Sequence, residues 1–411
     1  MQVLHSCCCG LDVHKRFVVA CLIKSGEDGK HQKELRRFNT LTPDLLRLID
    51  WLQEACCTHV ALESTGVYWK PIFNLMEGLF ERVLVNAQHM KAVPGRKTDT
   101  KDAEWIADLL QHGLLKASFI PPQPQRDLRD LTRYRSSLKQ ERTQHVNRIH
   151  KLLEETNIKL SSVFGDMMCK TGRAILDALV RGESNPAALA DLALVWAPHK
   201  RDALVPALTG CMRAHHRFLL RELLGMIETL ERAIARLDRE IEERLRPQQA
   251  TLERLDAITG VSHRVLETLF AEVGWELNAF PDAEHLASWV GICPGQHESG
   301  GKRMSGRTRK GNRYAKTILV QAAHAAGKTK HTYLGAQYRR LSKGRGIKRA
   351  AVAVGHSILV IYYHMLTTSQ PYQEKGEDFF VHHDRSERER RLVKQLERLG
   401  YAVQLTQEHT I

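Results

Sequence analysis

Four acidic residues stand where a reaction could use them: Asp12 in Gly10-Leu11-Asp12-Val13-His14-Lys15, Glu63 in Ala61-Leu62-Glu63-Ser64-Thr65-Gly66, and the pair Asp99 and Asp102 in Lys97-Thr98-Asp99-Thr100-Lys101-Asp102-Ala103-Glu104-Trp105. Asp12 follows a short β-prone run and Glu63 ends a buried-type strand. The i, i+3 spacing of Asp99 and Asp102, at a helix start, projects both from one helical face. Gathered carboxylates raise each other's pKa unless a cation neutralises them. Mg²⁺ is the natural choice, being hard, oxygen-preferring and ready to keep positions open for water or phosphate. Such a site polarises a phosphodiester, aligns a nucleophile and stabilises the leaving oxygen. Taken singly, each acid is ordinary, a helix cap or a solvated surface residue. The strand-end placement of two, followed by the helical pair, is what points to a shared ion.

A second candidate lies far downstream in Gly295-Gln296-His297-Glu298-Ser299-Gly300-Gly301-Lys302-Arg303-Met304-Ser305-Gly306-Arg307. A serine followed by two glycines suits presentation on a tight turn, and the neighbouring cations suit a phosphate. Serine needs a base or a cation before it attacks; His297 and Glu298 are near in sequence, though adjacency proves little. Spacing alone favours a loop serine that bonds its own backbone.

The charge pattern names the partner class. The net charge is +14 over 411 residues, and Lys and Arg gain binding free energy by releasing counterions from phosphates. No Asp or Glu occurs in residues 301–373, while 302–349 supply 15 Lys and Arg, as much as the whole excess. A merely soluble surface would intersperse both signs, so the segment reads as a polyanion-binding face. Lys302, Arg303, Arg307, Arg309, Lys310 and Arg313 are the candidate phosphate contacts. The sequence shows neither a run of 18 apolar residues nor a signal-peptide pattern at its start, so a soluble cytoplasmic protein with no membrane partner is expected. Nine cysteines, clustered as Cys7-Cys8-Cys9 and Cys56-Cys57 without a C-x-x-C pair, read as thiols of a reducing compartment.

The elements that must position these residues form an α/β region followed by helices. Strands are expected at 4–11, 17–23, 33–38, 60–62 and 82–85, with helices at 41–57 and 71–79. Past Pro121-Pro122-Gln123-Pro124 long charged helices begin. The register Leu223, Ile227, Leu230, Ile234, Leu237, Ile241 steps by four and three, which suits a coiled coil, with an ordinary amphipathic helix as the alternative. Residues 255–261 resemble a helix-hairpin-helix turn, with Ser262 in place of its second glycine; a plain helix-to-helix turn fits equally. The expected division is a catalytic domain at 1–125, a helical coiled-coil region at 126–250, a basic domain at 251–375 and a charged tail at 376–411. No role is read for 158–217.

At this point the residues resemble a known family. Gly10-Leu11-Asp12-Val13-His14-Lys15, Glu63-Ser64-Thr65-Gly66-Val67-Tyr68-Trp69, Val85-Asn86-Ala87, Lys97-Thr98-Asp99 with Asp102-Ala103, and Gly260-Val261 through Ser299-Gly300 to Arg309-Lys310-Gly311-Asn312 are similar, in order, to the DEDD transposases of the insertion-sequence 110/1111 group. The resemblance implies an N-terminal RNase H-like (RuvC-like) domain with helices around a mixed sheet, in which Asp12, Glu63, Asp99 and Asp102 bind Mg²⁺. It implies that Ser299, in a mainly helical C-terminal transposase domain, attacks DNA and forms a transient phosphoserine. It further implies donor and target DNA bridged by a structured noncoding guide RNA, and a homodimer or homotetramer. The alternatives are a junction-resolving endonuclease with metal-activated water and a non-catalytic nucleic-acid-binding protein.

Overall fold

The structure, a computed structural model, describes residues 3–26, 31–63, 66–85, 102–295, 298–300, 302–303, 306–380 and 392–404. The chain divides into two compact units, Met1–Ile120 and Pro121–Ile411.

The first unit is a five-stranded mixed sheet in the order β3-β2-β1-β4-β5. Strands β1 (Cys7–Val13), β2 (Phe17–Ser25) and β3 (His31–Asn39) form an antiparallel meander. Helix α1 (Thr42–Glu54) then carries the chain across, so that β4 (His59–Glu63) pairs parallel with β1 and β5 (Glu81–Val85) parallel with β4. Helix α2 (Trp69–Leu75) lies between β4 and β5 in sequence. Side chains alternate across the sheet. Cys9, Leu11 and Val13 join α1 and α2 in one core, with Leu45, Leu48, Leu52, Ile72 and Phe73. Cys8, Cys21, Ile23, Ala61 and Val85 face the other way, onto α3 (Asp102–Gln111) through Ala103, Ile106, Ala107 and Leu110. The edge strand β3 is exposed along most of its length and rich in charge, with Lys33, Glu34, Arg36 and Arg37, which disfavours pairing with another edge.

The second unit is helical. Its frame is α4 (Gln123–Glu155) and a second long helix, numbered α9 below (Ala214–Leu245). Arg135 meets Asp238, Arg142 meets Glu231 and Arg244 meets Asp127, so the two run antiparallel. The expected apolar seam does run along α9, with Ile227, Leu230 and Ile241 buried and Leu223, Ile234 and Leu237 half-buried. Its partner is α4 of the same chain, and the arrangement observed is one antiparallel helix pair; a coiled coil is not shown. Residues 158–210 hold short helices α5 (Leu160–Val163), α6 (Lys170–Arg181), α7 (Pro186–Asp191) and α8 (Arg201–Ala207). These bury Leu160, Ile175, Leu176, Leu179 and Leu204 against Ile149, Leu153, Leu220 and Ile227, and so cover one end of the long pair with a core of their own.

Beyond the pair come α10 (Gln249–Asp256), α11 (His263–Glu272), α12 (Ala283–Val290), α13 (Arg313–Lys328), α14 (Tyr333–Arg345) and α15 (Ile347–Thr368). The turn before α11 is the plain helix-to-helix kind: a Cβ on Gly260 would meet the Ala326 nitrogen at 2.5 Å, so its open side is filled by α13. Helix α15 is long and apolar enough to cross a membrane by composition, yet half of it is buried within the unit. The Tyr362 and Tyr363 hydroxyls donate from it to the Gly274 and Phe280 carbonyls at 2.7 and 3.0 Å, which marks it as a core helix.

Candidate functional site

Three of the four acids are carried by β1, β4 and α3, elements that pack together in the first unit. The parallel register Leu11↔Leu62, carried one residue further, sets Asp12 level with Glu63 at the carboxyl ends of β1 and β4. By strand alternation Asp12 shares a face with Cys8, and Glu63 shares it with Ala61, the face that α3 covers. Asp102 is the first residue of α3. All three are half-buried. Asp99 lies outside the described residues. The strands fold this way because their alternate residues are apolar on both faces until the last turn of the ladder, where Asp12 and Glu63 replace them.

Asp12 already has a partner: its carboxylate accepts from or pairs with His14 Nε2 at 2.9 Å, and the His14 ring packs on Phe17 at 4.5 Å between centroids. Sequence reasoning gave His14 no role, although its i+2 position at a strand end predicts the same face as Asp12. The donor set, carboxylates alone, has the chemistry of a hard divalent cation. Among the described residues no three His, Cys, Asp or Glu side chains are gathered closely enough to hold an ion.

The serine segment belongs to the second unit and connects α12 to α13. Its tip is a two-stranded ribbon, β6 (Glu298–Ser299) against β7 (Lys302–Arg303), with Ser299 paired to Lys302. Gly300, next after Ser299, has φ +56°, a backbone common in tight hairpin loops. Further down, Pro294 bridges Thr308 and the Gly295 N–H donates to the Arg307 carbonyl at 2.9 Å. Pro294 and Gly295 against Arg307 and Thr308, and Glu298 and Ser299 against Lys302 and Arg303, thus form the two legs of a narrow finger. The side chains of Ser299, Lys302 and Arg303 fall outside what the structure describes, as does His297. Of the other predicted cations, Arg307, Arg309, Lys310 and Arg313 are exposed at the root of the finger. Arg313 also lies over the Tyr314 ring at 4.8 Å.

Beneath that root is a buried ionic cluster that sequence reasoning missed. Glu272 is fully buried and accepts from Arg133 Nε at 2.7 Å, from the other Arg133 nitrogen at 2.8 Å and from Asn312 Nδ2 at 2.6 Å. Arg129 stands 3.3 Å from the same carboxylate, and burial pushes its guanidinium pKa down to about 10 against the pull of Glu272. An acid at helical spacing from Val265 and Leu269, on an otherwise apolar face, was the available signal.

Two family descriptions match separate stretches of the chain. Residues 9–158 match a family described as "Transposase", and residues 252–339 match "Transposase IS116/IS110/IS902 family". The chain is 30% identical to the "Probable family 20 transposase" of Pseudomonas aeruginosa over 65% of this chain and 70% of that protein. It is 25% identical to the "Transposase for insertion sequence element IS1111A" of Coxiella burnetii, over 71% and 72%. With the "Putative transposase y4pF/y4sB" of Sinorhizobium fredii it shares 24% identity over 86% of each. The first match spans the sheet and the acids; the second spans the finger and its root.

Proposed function

This chain belongs to the IS110-group transposases, and on that footing we propose that it cuts and rejoins DNA at the ends of an insertion sequence through a covalent phosphoserine. The N-terminal unit is read as RNase H-like, with Asp12, Glu63, Asp99 and Asp102 as the ligands of Mg²⁺. The observation that carries the reading is the register that brings Asp12 and Glu63 level at the strand ends, on the face where α3 begins with Asp102.

Bound there, Mg²⁺ would neutralise phosphate charge and polarise the scissile phosphorus. The protein's own part is to hold and present. Asp12, Glu63 and Asp102, with Asp99, would hold the ion. The Ser299 hydroxyl gives its proton to a base, its oxygen bonds to phosphorus, and the bond from phosphorus to the departing sugar oxygen breaks. A sugar hydroxyl later reverses this step on the serine ester, so the phosphodiester bond energy is conserved. Arg307, Arg309, Lys310 and Arg313, with Lys302 and Arg303, neutralise neighbouring phosphates. The same basic face suits a guide RNA that pairs with donor and target DNA, and the reading includes a homodimer or homotetramer as the working assembly.

The test is strand cleavage of labelled element-end DNA by full-length protein in Mg²⁺. Asp12→Asn and Asp102→Asn should each abolish cleavage while leaving DNA binding within about threefold, because phosphate contacts set affinity. Unchanged cleavage in both variants would remove the acids from the reaction. RNA that co-purifies with the protein, once sequenced, should be a discrete species complementary to DNA; random fragments would count against guidance.

A further inference from the structure

The finger is anchored in an unusual way. Asn312 is the N-cap of α13: its Oδ1 accepts from the Tyr314 and Ala315 N–H groups at 3.0 and 3.1 Å. Its Nδ2 donates the other way, to Glu272 at 2.6 Å. The Asn312 N–H donates to the Trp289 carbonyl at 3.3 Å, at the end of α12. At the neighbouring position a Cβ on Gly311 would meet the Gly291 nitrogen at 2.5 Å, so the two ends of the segment touch backbone to backbone. One residue, through its side chain and its backbone N–H, thus ties the start of α13, the end of α11 and the mouth of the finger.

We propose that Glu272 and Asn312 form a clamp that fixes the root of the Ser299 finger, and that both are positioning residues for the serine and for Arg307, Arg309 and Lys310. The chemistry explains the residue types. A helix N-cap accepts Asn, Asp or Ser about equally. Here only an amide serves, because the group must accept from two N–H groups on one side and donate to a carboxylate on the other. An Asp at 312 would set a second carboxylate against a buried one. Arg133 holds Glu272 in place from behind with two parallel hydrogen bonds, which leaves a single carboxylate edge turned to Asn312. The positioning role rests on the reading of Ser299 as nucleophile; the clamp itself does not.

Hydrogen exchange on the full-length protein separates the two. Asn312→Asp should speed exchange in peptides covering 292–311 by about tenfold, the order expected when a hydrogen bond to a charged group is lost. Peptides from the first unit should not change. If Asn312→Asp unfolds the whole helical unit, Asn312→Ser is read instead. It keeps an uncharged cap but is too short to reach Glu272, so it should loosen the same peptides. Unchanged exchange in the readable single variant overturns the clamp. Adduct yield in the same proteins should fall as exchange rises. An adduct absent from the parent protein refutes the serine, whereas loosened exchange with undiminished adduct refutes the positioning role.

Discussion

Gly10 of β1 touches Ala107 of α3 backbone to backbone: a Cβ on Gly10 would stand 2.4 Å from the Ala107 nitrogen and 2.3 Å from the Ala103 carbonyl oxygen. The glycine lets α3 lie directly on the sheet, two residues before Asp12 on one element and one residue after Asp102 on the other. Local packing and the placing of the acids are the same feature.

Gly10→Ala should therefore act on both. The backbone atoms it meets cannot swing aside, so α3 must lift, at a cost of about 3 kcal/mol by the usual scale of overpacking. Urea unfolding of the full-length protein measures this. At a temperature where the variant stays folded, cleavage should be lost because Asp102 has moved; a variant as active as its parent would show that α3 does not set the site.

A second prediction concerns the junction of α4, α9 and α11. Arg135 and Glu267 are both buried and paired, and Asp238 and Arg264 complete the network at 3.1 and 3.2 Å. Removing one partner strands a buried charge, so Glu267→Ala should cost about 3 to 5 kcal/mol. Replacing Arg135 by Met and Glu267 by Leu together should cost far less. Equal losses in single and double variants, by chemical denaturation, would contradict this.

The third is a pH dependence. Burial works to raise the pKa of Glu374, but the N–H groups of Tyr333 and Gly376 and the hydroxyls of Thr259 and Tyr372 outweigh it and hold the carboxylate below its ordinary value of 4.5. The unfolded chain thus binds the proton first. The stabilisation is complete above pH 4.5 and is lost as pH falls through the lower native value. Glu374→Gln should flatten the acid limb of stability against pH in that window and leave its shape at neutral pH alone. An acid limb of unchanged steepness would contradict the assignment.

Much of the first unit was legible because its signals are local. The short apolar runs of β1, β2 and β4 signal strands whatever their neighbours do, and strand ends named Asp12 and Glu63. That these two stand level depends on register, which pairing between distant segments decides. The Asp12–His14 contact was within reach, since i and i+2 share a strand face. The ribbon around Ser299 was foreshadowed by two glycines. The cluster of Arg129, Arg133, Glu272 and Asn312 was not, because it joins residues more than a hundred positions apart, and in a one-dimensional reading each looks like a solvated charge or a cap. The seam on α9 was visible, but its partner, α4 of the same chain, follows from helix packing rather than from periodicity.

The most direct measurement of the central claim is the chemistry at position 299. Full-length protein is incubated in Mg²⁺ with labelled DNA carrying the element's end and with whatever RNA co-purifies, then denatured and digested. The account predicts a nucleotide ester on Ser299, seen by mass spectrometry in the peptide spanning 298–302 and absent from Ser299→Ala and Asp12→Asn. Cleaved DNA with no protein attached, or an adduct of full yield in Ser299→Ala, would contradict it.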